Sequence, residues 1–345
     1  MSQPGQTSPP AGPALRVLAV TRKPDSPSFQ HRVLDYIEPL RAEGIDVEWA
    51  PIPAGLAARR LLRRRMRAFD GVWWHKHLPN PLAVGLWHRS ARRIVYDFDD
   101  PVMYSTHPGP FLPHLTRRLK FSRFLARCDA ALAASEHLAG LARRWCPRSQ
   151  VVPMAVEAPA QAPDRSARSG PVRLLWTGSR ATLRFLRQAL PALERLGRRD
   201  DVALRVLAHE PVRSAILNVD YRPWSPREEE AALRECDVGL CPMPDTLWTR
   251  GKCPYKVLRY MAWSMPWVGS AVGENQVAAG PEGSTEQRGV CVARPDGWAD
   301  ALRRLIDDPA LRQTMGRQGR LYVERCHSPQ VLTRLLAGLF REVFA

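Results

Sequence analysis

Three carboxylates close the stretch Ile94-Val95-Tyr96-Asp97-Phe98-Asp99-Asp100. Acids at the end of an apolar run can hold a divalent metal, act as acid, base or nucleophile, face a polar substrate, or simply cap a strand. A second group is LLWTGSR, where Gly178, Ser179 and Arg180 follow another apolar run. A strand, a glycine turn and a helix start present backbone N–H groups to an anion, and Arg180 can grip a phosphate with two hydrogen bonds. A third group lies in PDTLWTRGKCPYKVLRYMAWSMPWVGSAVGEN (244–275). There Arg250, Lys252 and Lys256 share a loop and the first turn of a helix. The helix dipole disfavours cations at that end unless an anion sits between them. Gly273 and Asn275 mark a turn at a further strand end. Each feature has a plain alternative: a glycine that only makes a tight turn, or a basic loop that only meets water. Neither a G-x-G-x-x-G nor a G-x-x-x-x-G-K-[ST] motif occurs, which argues against nicotinamide-nucleotide and P-loop sites.

The elements that must position these residues alternate in type. Strand-like runs cover 15–20, 45–52, 71–76, the acid-ended stretch, 129–135 and 150–156. Helical spacing covers 30–43, 56–69, 81–92, 114–127 and 136–145. Residues 157–170 carry three prolines and no large apolar side chain, which reads as a linker. The alternation restarts at 172–179, continues through a helix at 183–196 and a strand at 202–207, and reaches Ser225-Pro226-Arg227-Glu228, a capping box with proline at the first helical position. Helices at about 297–306, 309–325 and 329–344 finish the chain. Repeated strand–helix units imply an α/β fold with parallel sheets, here two Rossmann-like domains facing a cleft. The expected division is a disordered tail at 1–14, an acceptor domain at 15–156, a linker at 157–170, a donor domain at 171–328 and a helix at 329–345. Ligands of such sheets sit at the carboxyl ends of strands, where all three groups fall.

The chain has 345 residues, 45% hydrophobic, with a formal charge of +17 and a pI near 10.3. That balance suits a polyanionic partner, or reflects only solvated surface arginine. Seven cysteines occur without a C-x-x-C pair, which excludes zinc ribbons and reads as reduced thiols of a cytosolic protein. The first 14 residues lack the apolar core of a signal peptide, and uninterrupted apolar runs are too short for a membrane span. The arginine-rich helix 58–69 is a solvated face or a contact for an anionic membrane. Stacking aromatics are not interleaved with it, so no nucleic acid is expected.

In order along the chain, RLLWTGSRATLRFLRQALPAL, RGKCPYKVLRYMAWSMPWVGSAVGEN and LIDDPALRQTMGRQGRLYVERCHS resemble segments of the retaining GT-B-fold glycosyltransferases of the group 1 (family 4) type. VYDFDD and DAALAASEHLAGLARRWCPRSQVVPMAVE resemble the first domain of the same family. The resemblance spans about residues 15–345. It implies transfer of a sugar from a nucleotide-diphosphate-sugar to an acceptor hydroxyl, with retention and without a metal or other cofactor. It also implies cell-surface polysaccharide or glycolipid synthesis, a glycan or lipid-linked acceptor, and a cytoplasmic enzyme peripheral at the inner face of the membrane. The last helix is expected to pack back on the first domain. By position, Gly178, Ser179 and Arg180 lie under the donor diphosphate, with Arg250, Lys252, Lys256, Gly273 and Asn275 as further donor-binding residues. Asp99 and Asp100 take the catalytic places where many members carry His-Asp. This chain departs from the family's paired glutamates: Gly251 and Arg259 stand there. The departure keeps open a degenerate GT-B binding or scaffold protein, and the +17 charge keeps open a basic nucleic-acid binder. A metal-binding Asp-x-Asp belongs to another glycosyltransferase fold that does not restart as a second domain, and the phosphatase use fits poorly because Pro101 follows and the acids come late in their half.

Overall fold

The computed structural model describes residues 15–104, 111–165 and 170–345; the side chains of 111–114 are not described. The expected tail at 1–14 and the last part of the linker stretch, 166–169, lie outside the described residues. The chain forms two compact units, residues 1–155 with 329–345, and residues 156–328.

The first unit holds a six-stranded sheet of β1 (Leu15–Thr21), β2 (Ile45–Pro51), β3 (Gly71–His75), β4 (Ile94–Phe98), β5 (Ala130–Ala133) and β6 (Ser149–Val151). The order is β2-β1-β3-β4-β5-β6, with every pair parallel. β3 and β4 are buried along their whole length, as central strands of a covered parallel sheet must be. Adjacent side chains in a strand point to opposite faces, so Trp73 and Trp74 serve different layers. Trp74 packs on Trp87 and Phe124, each with ring centroids 5.1 Å away, under helices Leu56–Met66, Val84–His88 and Phe111–Leu125. Trp73 meets Phe340 at 5.0 Å, so helix Pro329–Phe344 closes the opposite face beside helices Pro27–Arg32 and Ile37–Ala42. Burying one tryptophan is worth about 4–6 kcal/mol at the usual area coefficient.

The second unit repeats the plan with β7 (Val172–Thr177), β8 (Val202–Ala208), β9 (Val219–Pro223), β10 (Val238–Cys241), β11 (Trp267–Ser270) and β12 (Val290–Val292). Its order is β12-β11-β10-β7-β8-β9, again parallel throughout. Helix Arg180–Leu193 lays Leu183, Leu186 and Leu193 on the sheet. Helix Pro309–Cys326 packs on helix Tyr255–Ala262 through Gly319 and Met261, and on the turn that follows that helix at Gly316. A Cβ there would meet the Ser264 carbonyl oxygen at 2.1 Å.

Several elements differ from the sequence reading. The helix expected over 30–43 is broken into Pro27–Arg32, a 3-10 turn Leu34–Tyr36 and Ile37–Ala42. Pro39 lacks an N–H and crowds the carbonyl four residues back, so one continuous helix cannot pass. The helix expected over 81–92 ends at His88. The strand expected over 150–156 is only Ser149–Val151, since Pro153 cannot donate to a ladder. β9 was not expected; it is an edge strand with a half-buried, polar-rich pattern that lacks clear alternation. Within the linker stretch, Arg165 is a fixed part of the second unit. Its guanidinium donates to the carbonyls of Leu233, Cys236 and Trp263, which helix ends leave unpaired.

Candidate functional site

Both sheets reverse direction beside their first strand, between β1 and β3 and between β7 and β10. Such switch points open crevices at the carboxyl strand ends. Each one here carries a polar cluster.

In the first unit, Ser26 caps helix Pro27–Arg32 by accepting from the Phe29 N–H, and Pro27 starts the helix. Ser28 and Arg32, four residues apart, therefore share the face turned to the strand ends. Arg32 donates to Asp97 Oδ1 through Nε (2.9 Å) and Nη2 (2.6 Å), and Trp73 Nε1 donates to Asp97 Oδ2 at 2.8 Å. Arg32 also donates to the carbonyls of Val152 and Pro153. Asp97 is fully buried and fully engaged, so it anchors the network and offers nothing to a ligand.

Asp99 follows at the two-residue strand period, on the same side as Asp97, while Phe98 enters the core between them. Ser28 Oγ donates to Asp99 Oδ1 at 2.6 Å, and Lys76 Nζ sits 2.8 Å from Asp99 Oδ1 and 2.6 Å from Asp100 Oδ2. Lys76 takes a left-handed backbone, φ +53°, which costs a non-glycine residue about 1–2 kcal/mol. That turn sends its ammonium between the two acids. Burial alone would raise the Asp99 carboxyl; the Lys76 charge and the Ser28 hydroxyl instead hold it well below the usual carboxylate range. Burial likewise opposes the Lys76 charge, and Asp99 and Asp100 raise it all the same.

His75 completes the cluster. Its Nδ1 lies 3.2 Å from Thr21 Oγ1 and its Nε2 3.0 Å from Ser28 Oγ. The single Ser28 proton goes to Asp99, so His75 Nε2 must carry the donor hydrogen and Nδ1 accepts from Thr21. Burial lowers His75 to about 3, which keeps the ring neutral. Sequence reasoning found Asp99 and Asp100 but missed Thr21, Ser28, Arg32, His75 and Lys76. The His-Lys pair ending GVWWHK was the one available signal.

In the second unit, Trp176 links two of the sequence candidates. A Cβ on Gly178 would meet the Trp176 ring at 2.7 Å, and Lys256 Nζ lies 4.2 Å from the centroid of the same ring. Ser179 occupies the N-cap of helix Arg180–Leu193 without a side-chain capping bond. The amides of Arg180 and Ala181 have no acceptor among the described residues. A half-buried ammonium thus stands over the same ring that underlies an uncapped helix start. Burial lowers Lys256 to about 8, and Lys252 pushes in the same direction. Lys252 Nζ lies 4.7 Å from the Trp248 ring centroid.

The remaining candidates are placed differently. Arg180 is largely exposed and leans to Glu210 at 3.5 Å. Arg250 is bound by Asp245 at 2.6 and 2.9 Å. Gly273 has φ +54°, and a Cβ would meet the Arg250 carbonyl oxygen at 2.3 Å, so it shapes the loop after β11. Asn275 is completely buried and donates to the Ser270 carbonyl at 3.0 Å. Gly273 and Asn275 therefore act through the backbone around them.

Glu229 was not anticipated. It accepts from Thr177 Oγ1 at 3.1 Å and from Arg259 Nη2 at 3.2 Å, at the carboxyl end of β7, and its charge is felt by Lys256. It comes from helix Pro226–Glu235, far in sequence from Arg259, so spacing alone could not reveal it. Among the described residues, no group of three or more His, Cys, Asp or Glu is arranged to hold a metal.

Residues 171–308 match the model of the family described as Glycosyl transferases group 1. No curated protein matches the chain in sequence. Among solved structures, sucrose-phosphate synthase from Thermosynechococcus elongatus superposes with a TM-score of 0.72 at 16% identity, over 96% of this chain and 99% of that one. Anabaena HepE in complex with UDP-glucose gives 0.69 at 11% identity, over 95% and 100%. The lipopolysaccharide outer core galactosyltransferase WaaB gives 0.60 at 11%, over 95% and 100%. The segment matched to the family holds Gly178, Glu229, Lys252, Lys256, Gly273 and Asn275 on one parallel sheet and its loops. By that match, residues 171–308 carry the sequence pattern of the group 1 glycosyltransferases, and the two parallel six-stranded sheets are those of the GT-B fold.

Proposed function

We propose that the enzyme transfers a sugar from a UDP-sugar to an acceptor hydroxyl, with retention of anomeric configuration and without a metal. The observation that carries this is the placement of the Gly178 turn and half-buried Lys256 on one tryptophan, at an uncapped helix start. Backbone amides and an ammonium together can carry the diphosphate charge that grows as the sugar leaves. Lys252 adds to that field. Glu229, tied to Thr177 and Arg259, offers a carboxylate at the same strand end for the donor's ribose hydroxyls. It thereby supplies the charge that Arg259 does not.

Asp99 supports the retaining reading. Held ionised by Lys76, it is a poor base and a good acceptor of a hydrogen bond. In the reaction we infer, the bond from the anomeric carbon to the β-phosphate oxygen breaks while the bond to the acceptor oxygen forms. The acceptor's proton passes to the leaving diphosphate. Asp99 and Asp100 orient hydroxyls. The likeness to a lipopolysaccharide galactosyltransferase makes a cell-surface glycan or lipid-linked acceptor the natural class, reached from the cytoplasmic face of the membrane. Among the described residues, no helix is long and apolar enough to cross a membrane.

Calorimetry with UDP-glucose tests the donor site. Lys256→Met should weaken binding by at least about tenfold, the scale of one charge-assisted contact. Unchanged affinity would show that the phosphate site lies elsewhere. The arginine at position 259 also suits a binding protein without turnover; sugar transfer by the wild type, lost in Asp99→Asn, eliminates that reading.

A further inference from the structure

One face of the first unit combines two unusual features. Helix Leu56–Met66, the segment 81–88 and helix Phe111–Leu125 form one layer, since Leu62, Met66, Val84, Trp87, Phe121 and Phe124 share a single core cluster. These segments contain no aspartate or glutamate. Helix Leu56–Met66 carries five arginines, and Phe111–Leu125 carries Arg117, Arg118, Lys120 and Arg123. Arg65 pairs with Glu48, but Arg60, Arg63, Arg64, Arg118 and Arg123 have no acidic partner among the described residues. His77, lying beneath, feels both Arg59 and Lys120, which places the two basic helices on one side.

The same layer turns leucines outward. Leu82 is 90% exposed and Leu86 50%, one helical turn apart, and Leu115 and Leu119 repeat the spacing at 50% and 46%. Leu56 and Leu61 add 76% and 65%. Packing does not explain them, because the inward residues of each helix already fill the core. Aliphatic tips among unpaired cations are the make-up of an interfacial membrane surface.

We propose that this three-helix face docks on an anionic lipid bilayer. The leucines enter the boundary between headgroups and acyl chains, and the arginines and Lys120 meet lipid phosphates. The proposal deepens the reading above, which brings the enzyme a lipid-linked acceptor. A second copy of the chain fits badly, since a two-fold contact through this face would oppose cation to cation. Nucleic acid would match the charge and leave the leucines unused; it reads through aromatic platforms, and the exposed residues here are leucines.

Sedimentation of the full chain with vesicles is the test. Binding is expected to phosphatidylcholine vesicles containing phosphatidylglycerol, to weaken in high salt, and to vanish on phosphatidylcholine alone. Arg60→Glu/Arg63→Glu/Arg64→Glu should lower partitioning by at least about a hundredfold, at roughly fivefold per cation. Leu82→Ser/Leu86→Ser, and separately Leu115→Ser/Leu119→Ser, should each lower it by about tenfold. Absence of binding to the anionic vesicles overturns the proposal, as does a leucine variant that binds like wild type. Preferential capture of single-stranded RNA, or dimerisation removed by the leucine changes, overturns it as well. Far-ultraviolet circular dichroism and calorimetric melting of the first unit on the same samples report folding of the variants. Wild type that binds vesicles but not UDP-glucose would sink the donor reading and leave the docking face standing.

Discussion

At the scale of residues, the pH response of each cluster has a definite sign. Lys256 is lowered by burial to about 8, so it is charged at pH 7 and neutral above 9. Donor affinity should be full at pH 7 and fall as pH rises through 8. In Lys256→Met that dependence should disappear, which titration calorimetry from pH 6.5 to 9.5 can read. His75 behaves oppositely. It stays neutral in the folded protein down to about 3, whereas the unfolded chain takes up its proton near the ordinary histidine value. The unfolded state then binds the extra proton, so stability falls as pH drops from about 6.5 toward 3, by at most on the order of 4–5 kcal/mol. His77 and His88, each lowered to about 4 by burial, add the same sign. Asp99 adds to the decline only below about pH 4, where the unfolded chain's carboxylate takes up a proton that the folded, ion-paired one does not. Thermal melting of His75→Gln should show a shallower decline between pH 6.5 and 4 than wild type. The acids of VYDFDD were legible because three carboxylates ending a strand are rare. Their division of labour was not, since it depends on Arg32, Ser28 and Lys76 arriving from other elements.

At the scale of elements, helix Pro329–Phe344 matters most for the first unit. Leu332, Leu336, Phe340 and Phe344 are buried, and the Phe344 ring lies where a Cβ on Gly71 would have to go. Phe340→Ala should destabilise the first unit by about 3–5 kcal/mol, the usual loss for a buried phenylalanine. Denaturant melting followed by tryptophan fluorescence would measure it, because Trp73 stacks edge-on against that ring. A loss under about 1 kcal/mol would mean the helix is dispensable there. The sequence shows this helix's apolar stripe plainly. Which surface receives it comes only from the fold, because the stripe names no partner. Where helices differed from expectation, the reason was local: Pro39 and Pro153 end hydrogen-bonded runs that the apolar spacing alone would continue.

At the scale of the whole molecule, two units with separate cores should unfold as two events, for each buries its own sheet. Saturating UDP-glucose should raise the transition of the second unit, by about 2.7 kcal/mol at a hundred times its dissociation constant, with the first unit unmoved. Differential scanning calorimetry with and without the ligand would show this. A shift confined to the first unit would place the donor on the wrong sheet. The sequence by itself determined the alternation of strands and helices, the two-sheet plan and the glycine and basic loops of the second half. Those features are written in local periodicity and turn chemistry. Only the tertiary structure decided which charges are used up and which remain. Arg180, Arg250 and Asp97 found partners, while Lys256 came to lie over Trp176 and Asp99 was fixed by a lysine at the end of the adjacent strand. Charge pairing depends on distances between segments far apart in the chain, and those distances exist only after the sheets have formed.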